Sequence, residues 1–199
     1  RRNSRTIQNP AISMTYQTFI ALVFLSVATL FTPGPNNAML ATSGAAFGFR
    51  RTLPHALGVA LGFPVMMLIV GLLLGGVFQA SPLLRETLKW GGAALLLWIA
   101  YKIAISRGME RKDADARPMS FMGAAAFQWI NPKGWSMAIS ATALFIDPAK
   151  PFVTAMIVVM SFLVLGLASS MTWVAAGQAI SGWLTTERRQ RFFNITMAV

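Results

Sequence analysis

Thr32-Pro33-Gly34-Pro35-Asn36-Asn37 interrupts a stretch, from Arg5 to Arg50, that carries no Asp, Glu, Lys, Arg or His. The stretch far exceeds the roughly 20 apolar residues needed to cross a bilayer. Two prolines around a glycine cannot continue an unbroken α-helix, because each proline lacks the ladder N–H and its ring crowds the preceding turn. The sequence therefore predicts a helix-compatible apolar run from Tyr16 to Phe31, a break, and apolar residues resuming to Phe49. Such a break persists only inside protein or beside a watery cavity, since hydrocarbon offers nothing to the freed N–H and C=O groups.

Composition supports lipid as the solvent. Of 199 residues 55% are hydrophobic and 12% charged, against about a quarter charged in soluble domains. The net charge of +11 would suggest a nucleic-acid partner if the basic residues lined one face. They fall instead in short clusters between uncharged stretches, which excludes that partner and fits loops that orient a membrane protein. Without cysteine there is no disulfide framework, thiolate metal site or dithiol redox chemistry.

A second uncharged run lies between His55 and Arg85, with Gly58, Gly62, Gly71 and Gly75 at small-xxx-small spacing. A third span covers Glu86 to Ile105, where Trp90, Trp98 and Tyr101 suit the interfaces and Lys89 and Lys102 can snorkel. A fourth, Met119 to Ile146, is broken by Asn131-Pro132-Lys133-Gly134. A fifth runs from Pro151 to Thr186, with Gly166, Ser169, Ser170 and Thr172 as small or hydroxylated packing positions. After a basic turn, Glu187 to Arg191, residues Phe192 to Val199 are too few to cross a bilayer and suggest a sixth span cut short.

The expected fold is thus an all-α integral membrane protein with six transmembrane helices in two inverted three-helix repeats, the last helix truncated. Residues 1–13 read as a leader or upstream extension, 14–105 as the first repeat, 106–118 as a loop, and 119–199 as the incomplete second repeat. Arg50 and Arg51, the basic residues of loop 106–118, and Arg188, Arg189 and Arg191 outnumber Arg85, Lys89 and Lys150 on the opposite side. By the positive-inside rule the loops holding them, 106–118 included, are cytoplasmic and the N-terminus is outside. His55 reads as an interfacial residue at the cytoplasmic end of the second span.

Laying the halves over each other at an offset of about 100 residues pairs Thr32–Asn37 with Asn131–Gly134. Pro/Gly-interrupted spans at matching places in inverted halves point to a transporter's binding site. The candidate substrate-binding set is Thr32, Pro33, Gly34, Pro35, Asn36, Asn37, Asn131, Pro132 and Lys133. One such motif alone would read as a kink with satisfied caps; two in register favour a site. Lys133 is the one clearly intramembrane charge, costing about 2.5–3.5 kcal/mol near mid-bilayer unless something offsets it. Two readings stay open: its ammonium meets a substrate carboxylate, or it caps carbonyls freed by Pro132 or snorkels to an interface. On a helix Ser136 and Ser140 share its face, forming a polar stripe toward the bundle interior.

Thr32 to Asn37 late in the first span, Gly48-Phe49-Arg50 after it and Asn131-Pro132-Lys133 in the fourth resemble the LysE/RhtB amino-acid exporter superfamily. Trp90-Gly91-Gly92-Ala93-Ala94 and Trp98-Ile99-Ala100-Tyr101-Lys102 look like that family's third span, and Met119-Ser120-Phe121 with Gln128 looks closest to its cysteine and O-acetylserine branch. The resemblance implies six spans, a bacterial inner-membrane location and outward movement of small amino acids or their derivatives. The implied function is secondary export, with the lipid bilayer and a small amino-acid-type substrate as partners and no cofactor. The alternatives are a passive channel or a membrane-embedded protein that does not transport. An enzyme is disfavoured, because the spans hold no Cys, Asp, Glu or His beyond interface positions and no catalytic set or metal ligands. No ATP-binding Gly-rich loop appears. Proton coupling and a homo-oligomer are both open, and no residue identifies itself as the proton carrier.

Overall fold

A computed structural model describes residues 14–71, Leu83, Trp90, 117–147 and 149–198. The expected leader, the third span apart from Trp90, Gly75 and most of loop 106–118 lie outside the described residues. Among those described, every regular element is helical.

Helix α1 (Tyr16–Phe31) starts where the Thr15 hydroxyl accepts the Thr18 N–H and ends just before Pro33. Helix α2 (Pro35–Phe47) opens on Pro35, whose missing N–H costs nothing at a helix start. The two axes bend by 54° across the Thr32–Gly34 break. Helix α3 (Phe49–Ile69) follows after a single residue, Gly48, whose φ of 79° suits glycine. The Gln178 side chain accepts the Phe49 N–H at 2.6 Å. This corrects the loop expected around Arg50 and Arg51: both lie exposed in the first turn of α3. Their charges suit water wherever the backbone turns, so they mark the polar end without marking a loop.

Helix α4 (Phe121–Phe127), capped by Ser120, tightens into a 3₁₀ turn, Gln128–Ile130. Helix α5 (Pro132–Phe145) begins after Asn131. Helix α6 (Pro151–Ile180), 30 residues long, is the axis on which α1, α2 and α3 pack. At about 1.5 Å per residue it outreaches a ~30 Å hydrocarbon core. Helix α7 (Glu187–Ala198) contains the basic residues expected in a turn; the turn itself occupies residues 181–186. By length and composition α3 and α6 can each cross a membrane, and the bent α1–α2 pair counts as a third span.

Glycine sets how closely the helices approach. A Cβ on Gly44 would run into the Val174 backbone of α6, and one on Gly177 into the Ala41 backbone of α2. Gly58 and Gly62, picked out by spacing, face Phe121, Ala124 and Ala125 of α4. Gly166, Ser169 and Ser170 are buried as expected. Thr172 is exposed and bonds only the Ala168 carbonyl of its own helix, so it is not a packing position. Phe63, Met66, Val158 and Phe162 form one core cluster and Leu40, Ala56, Val59 and Val174 another. Many large apolar side chains, such as Phe24, Val65 and Val164, stay exposed, as lipid-facing positions would.

Candidate functional site

The first break leaves carbonyls at the end of α1 without helical partners, and three helices supply donors to them. Asn37 Nδ2, in the first turn of α2, donates to Leu30 O at 2.9 Å and Thr32 O at 2.7 Å. Ser169 Oγ of α6 donates to Leu30 O at 2.8 Å. Lys133 Nζ, from the second break, donates to Thr32 O at 2.8 Å and Pro33 O at 3.2 Å. Of the two readings of Lys133 this contact is the capping one, with a different partner: the carbonyls belong to the first break and not to the turn opened by Pro132. Convergent carbonyl dipoles attract a cation, and a lysine stem is long enough to reach them from α5.

The second break closes locally. Asn131 Oδ1 accepts the Lys133 N–H at 3.2 Å, the side-chain cap of α5. The Asn131 N–H in turn bonds Gln128 O. Gln128 is fully buried, and it meets Asn36 in a reciprocal amide pair, Asn36 Nδ2 to Gln128 Oε1 at 2.8 Å and Gln128 Nε2 to Asn36 Oδ1 at 3.3 Å. Gln128 Nε2 also donates to Ala124 O at 2.8 Å.

Of the nine residues expected from the sequence, Gly34, Asn36, Asn37, Asn131 and Lys133 line one cavity. It holds about 40 Å³, room for roughly three or four waters at ~10–15 Å³ each. Thr32, Pro33 and Lys133 line a neighbouring cleft of about 290 Å³ with Ser136 and Ser140. Pro35 and Pro132 are buried as the opening residues of α2 and α5 and line neither. Lys133 thus stands between a small cavity and a larger open one. The serine stripe lies on its face as expected, but Ser136 and Ser140 are exposed on the cleft wall and not turned into the bundle.

Sequence reading missed two contributors. Gln128 sits in an apolar run with no periodic signal, its partner far away in the chain; Ser169 was assigned to packing and also serves the break. His55, expected to be interfacial, lies nearly two turns into α3, which begins at Phe49. It is 1% exposed, with Nδ1 3.2 Å from Ser43 Oγ. Its Nε2 has no hydrogen-bond partner among the described residues.

The model of the LysE type translocator family matches residues 27–199. A cysteine/O-acetylserine efflux protein of Escherichia coli is 30% identical over 175 residues, 87% of this chain and 88% of the relative. One of Salmonella typhimurium is 32% identical over 153 residues, 76% of this chain and 78% of the relative. No solved structure matches the chain.

Proposed function

This chain belongs to the LysE type translocator family, and from that premise we propose that it is a secondary exporter of small amino acids or their derivatives, sited where its two broken spans meet. Cysteine and O-acetylserine, named for the relatives, are the first substrates to test. The observation that carries the reading is the reach of Lys133 from one break to the Thr32 and Pro33 carbonyls of the other. A lone kink would satisfy itself locally; here one break leaves open what the other fills. The small volume of the cavity beside Asn36 and Asn131 favours a site that must open to load over a pore that stands open. Lys133 is suited to meet a substrate carboxylate, with Asn36, Asn37 and the break backbone around it.

Within this reading the chain lies in a bacterial inner membrane as two inverted three-helix repeats, residues 14–105 and 119–199, joined by a cytoplasmic loop 106–118. Export is driven by an ion gradient, protons being the first to test, and catalysis plays no part.

The experiment is transport by the reconstituted full-length protein, with labelled amino acids offered one at a time. Accumulation of at least one small neutral amino acid above protein-free vesicles is expected. If none moves, by net flux or by exchange, the reading fails. Single cysteines at Ser4 and Ala114, in a chain with none of its own, should label from opposite sides; same-side labelling would overturn the topology.

A further inference from the structure

We propose that the Lys133 ammonium is a tethered stand-in for the substrate's amino group: the Thr32 and Pro33 carbonyls that hold it are an ammonium subsite, which a zwitterionic substrate occupies while drawing Lys133 onto its carboxylate. The inference rests on the reading of the paired breaks as the transport site, and it specifies what the site requires of a ligand.

The subsite is built of backbone. Thr32 O and Pro33 O lie outside both helical ladders, since α1 ends at Phe31 and α2 begins at Pro35. The two oxygens converge on one nitrogen at 2.8 and 3.2 Å. Carbonyl oxygens arranged in this way bind a primary ammonium by its N–H groups, and an α-amino acid carries the same –NH₃⁺ as lysine. Lys133 is the only charged residue on α1, α2, α5 or α6, so no carboxylate from those helices competes for either ammonium.

The exchange has room and a path. The cleft bounded by Thr32, Pro33, Lys133, Ser136 and Ser140 holds about 290 Å³, at the low end of the ~300–1,000 Å³ of small-molecule pockets. The lysine stem lies directly over Gly34, where an added Cβ would stand 3.0 Å from Cδ and 3.1 Å from Nζ. With no side chain there, a rotation of the flexible stem lifts the ammonium from the carbonyls toward the serine-lined wall.

Charge arithmetic then sets the ligand class. The empty site holds one positive charge, and a zwitterion leaves that total unchanged while supplying both a new occupant for the carbonyls and a partner for Lys133. An amine without a carboxylate must evict one cation with another and leaves Lys133 unpaired. A carboxylic acid without an amine draws Lys133 away and leaves Pro33 O without a donor and Thr32 O with Asn37 alone. Sites that lose a designed polar partner in this way discriminate strongly. The same logic lets the carrier return empty, because Lys133 bridges the two breaks when substrate does not.

Two measurements test this. In the wild-type protein, 3-mercaptopropionate and cysteamine, which lack the amine and the carboxylate of cysteine respectively, should each compete with labelled L-cysteine at least about a hundredfold more weakly than unlabelled cysteine does. Equal competition by the acid would show that the carbonyls are not used and would overturn the inference, with transport itself untouched. In Lys133→Met, the vacated carbonyls should bind a plain amine: ethylammonium should raise the thermal midpoint of the purified variant in a concentration-dependent way. Tetramethylammonium, which has no N–H, should not raise it, and neither cation should raise that of the wild type. A variant indifferent to ethylammonium, or one that answers both cations alike, overturns the subsite. If L-cysteine is not carried, the thermal measurement decides alone. If the variant does not fold, the competition decides alone.

Discussion

The two breaks differ in what they do with hydrogen bonds. The first, Thr32 to Gly34, bends the chain by 54° and exposes carbonyls that Asn37, Ser169 and Lys133 must answer from three different helices. The second turns on one residue, Asn131, which caps its own helix and needs no outside help. What it sends outward are the Lys133 ammonium, a donor, and the Gln128 amide, which both accepts from Asn36 and donates to it. The breaks differ in polarity: the first leaves free carbonyls, and the second supplies the ammonium that meets two of them. Two identical breaks would each have to find partners elsewhere; here the second answers the first, and on the proposed function a ligand that offers both kinds of group parts them.

The largest effect expected from breaking this complementarity is at Lys133. Lys133→Met removes a charged donor from two carbonyls and, on the proposed function, the counter-charge of the substrate carboxylate. A charge-assisted hydrogen bond contributes about 1.5–3 kcal/mol, so the half-saturating concentration should rise roughly ten- to hundredfold. Lys133→Arg should rescue partly, because a planar fork cannot follow the compact ammonium onto the same pair of oxygens. Uptake into inside-out vesicles, normalised to folded protein, measures both. An unchanged half-saturation in the Met variant would leave Lys133 as a structural cap alone.

Next in size is the amide pair that joins α2 to the 3₁₀ turn. Gln128→Leu strands the Asn36 amide and the Ala124 carbonyl, and Asn36→Leu strands Gln128; each should cost about 1–3 kcal/mol. The double substitution should cost less than the sum of the two, with a coupling of roughly 0.5–3 kcal/mol read by a double-mutant cycle on thermal or denaturant unfolding. Strict additivity would mean that the pair does not join the two breaks.

A smaller effect is expected at Gly34, whose φ of 169° is ordinary extended backbone. Its side chain is absent because the Lys133 stem occupies that space. Gly34→Ala should leave the fold intact and push Lys133 a few tenths of an ångström from its carbonyls, raising half-saturation a few-fold. A variant that instead unfolds would locate the requirement in the backbone and not in the lysine.

Much of this frame was legible in the residues, and the exceptions have physical causes. Proline and glycine announce a break through local sterics, so the end of α1 at Phe31 and the break at Asn131 could be read directly. An uncharged span makes its single lysine conspicuous, and helical geometry puts Ser136 and Ser140 on its face. What could not be read depends on partners distant in the chain. Nothing local marks Gln128 as the mate of Asn36, or Gly44 and Gly177 as the points where α2 and α6 nearly touch. The Arg50-Arg51 pair suggested a loop because charge reports contact with water and says nothing of φ and ψ; Gly48 alone makes that turn. His55 is buried for the same reason, since a one-residue turn starts α3 earlier than the charges imply.

The finest test concerns Asn131, which the geometry makes both a helix cap and a wall of the small cavity. The two roles predict different variants to be harmful. As a cap, Asn131 needs only a side-chain oxygen within reach of the Lys133 N–H two residues on, so Asn131→Ser should retain nearly full stability while Asn131→Ala loses about 1 kcal/mol. Neither should then alter half-saturation once activity is normalised to folded protein. As a substrate contact, Asn131 would use its amide N–H groups, which serine does not reproduce, and Asn131→Ser would raise half-saturation several-fold while unfolding stayed normal. The cap already occupies the side-chain oxygen, and the nitrogen is what remains to offer a ligand. Stability that follows the oxygen, with affinity indifferent to the nitrogen, would make the second break a supplier through Lys133 and Gln128 alone. Affinity that follows the nitrogen would give it a third donor and make the contrast with the acceptor-rich first break sharper still.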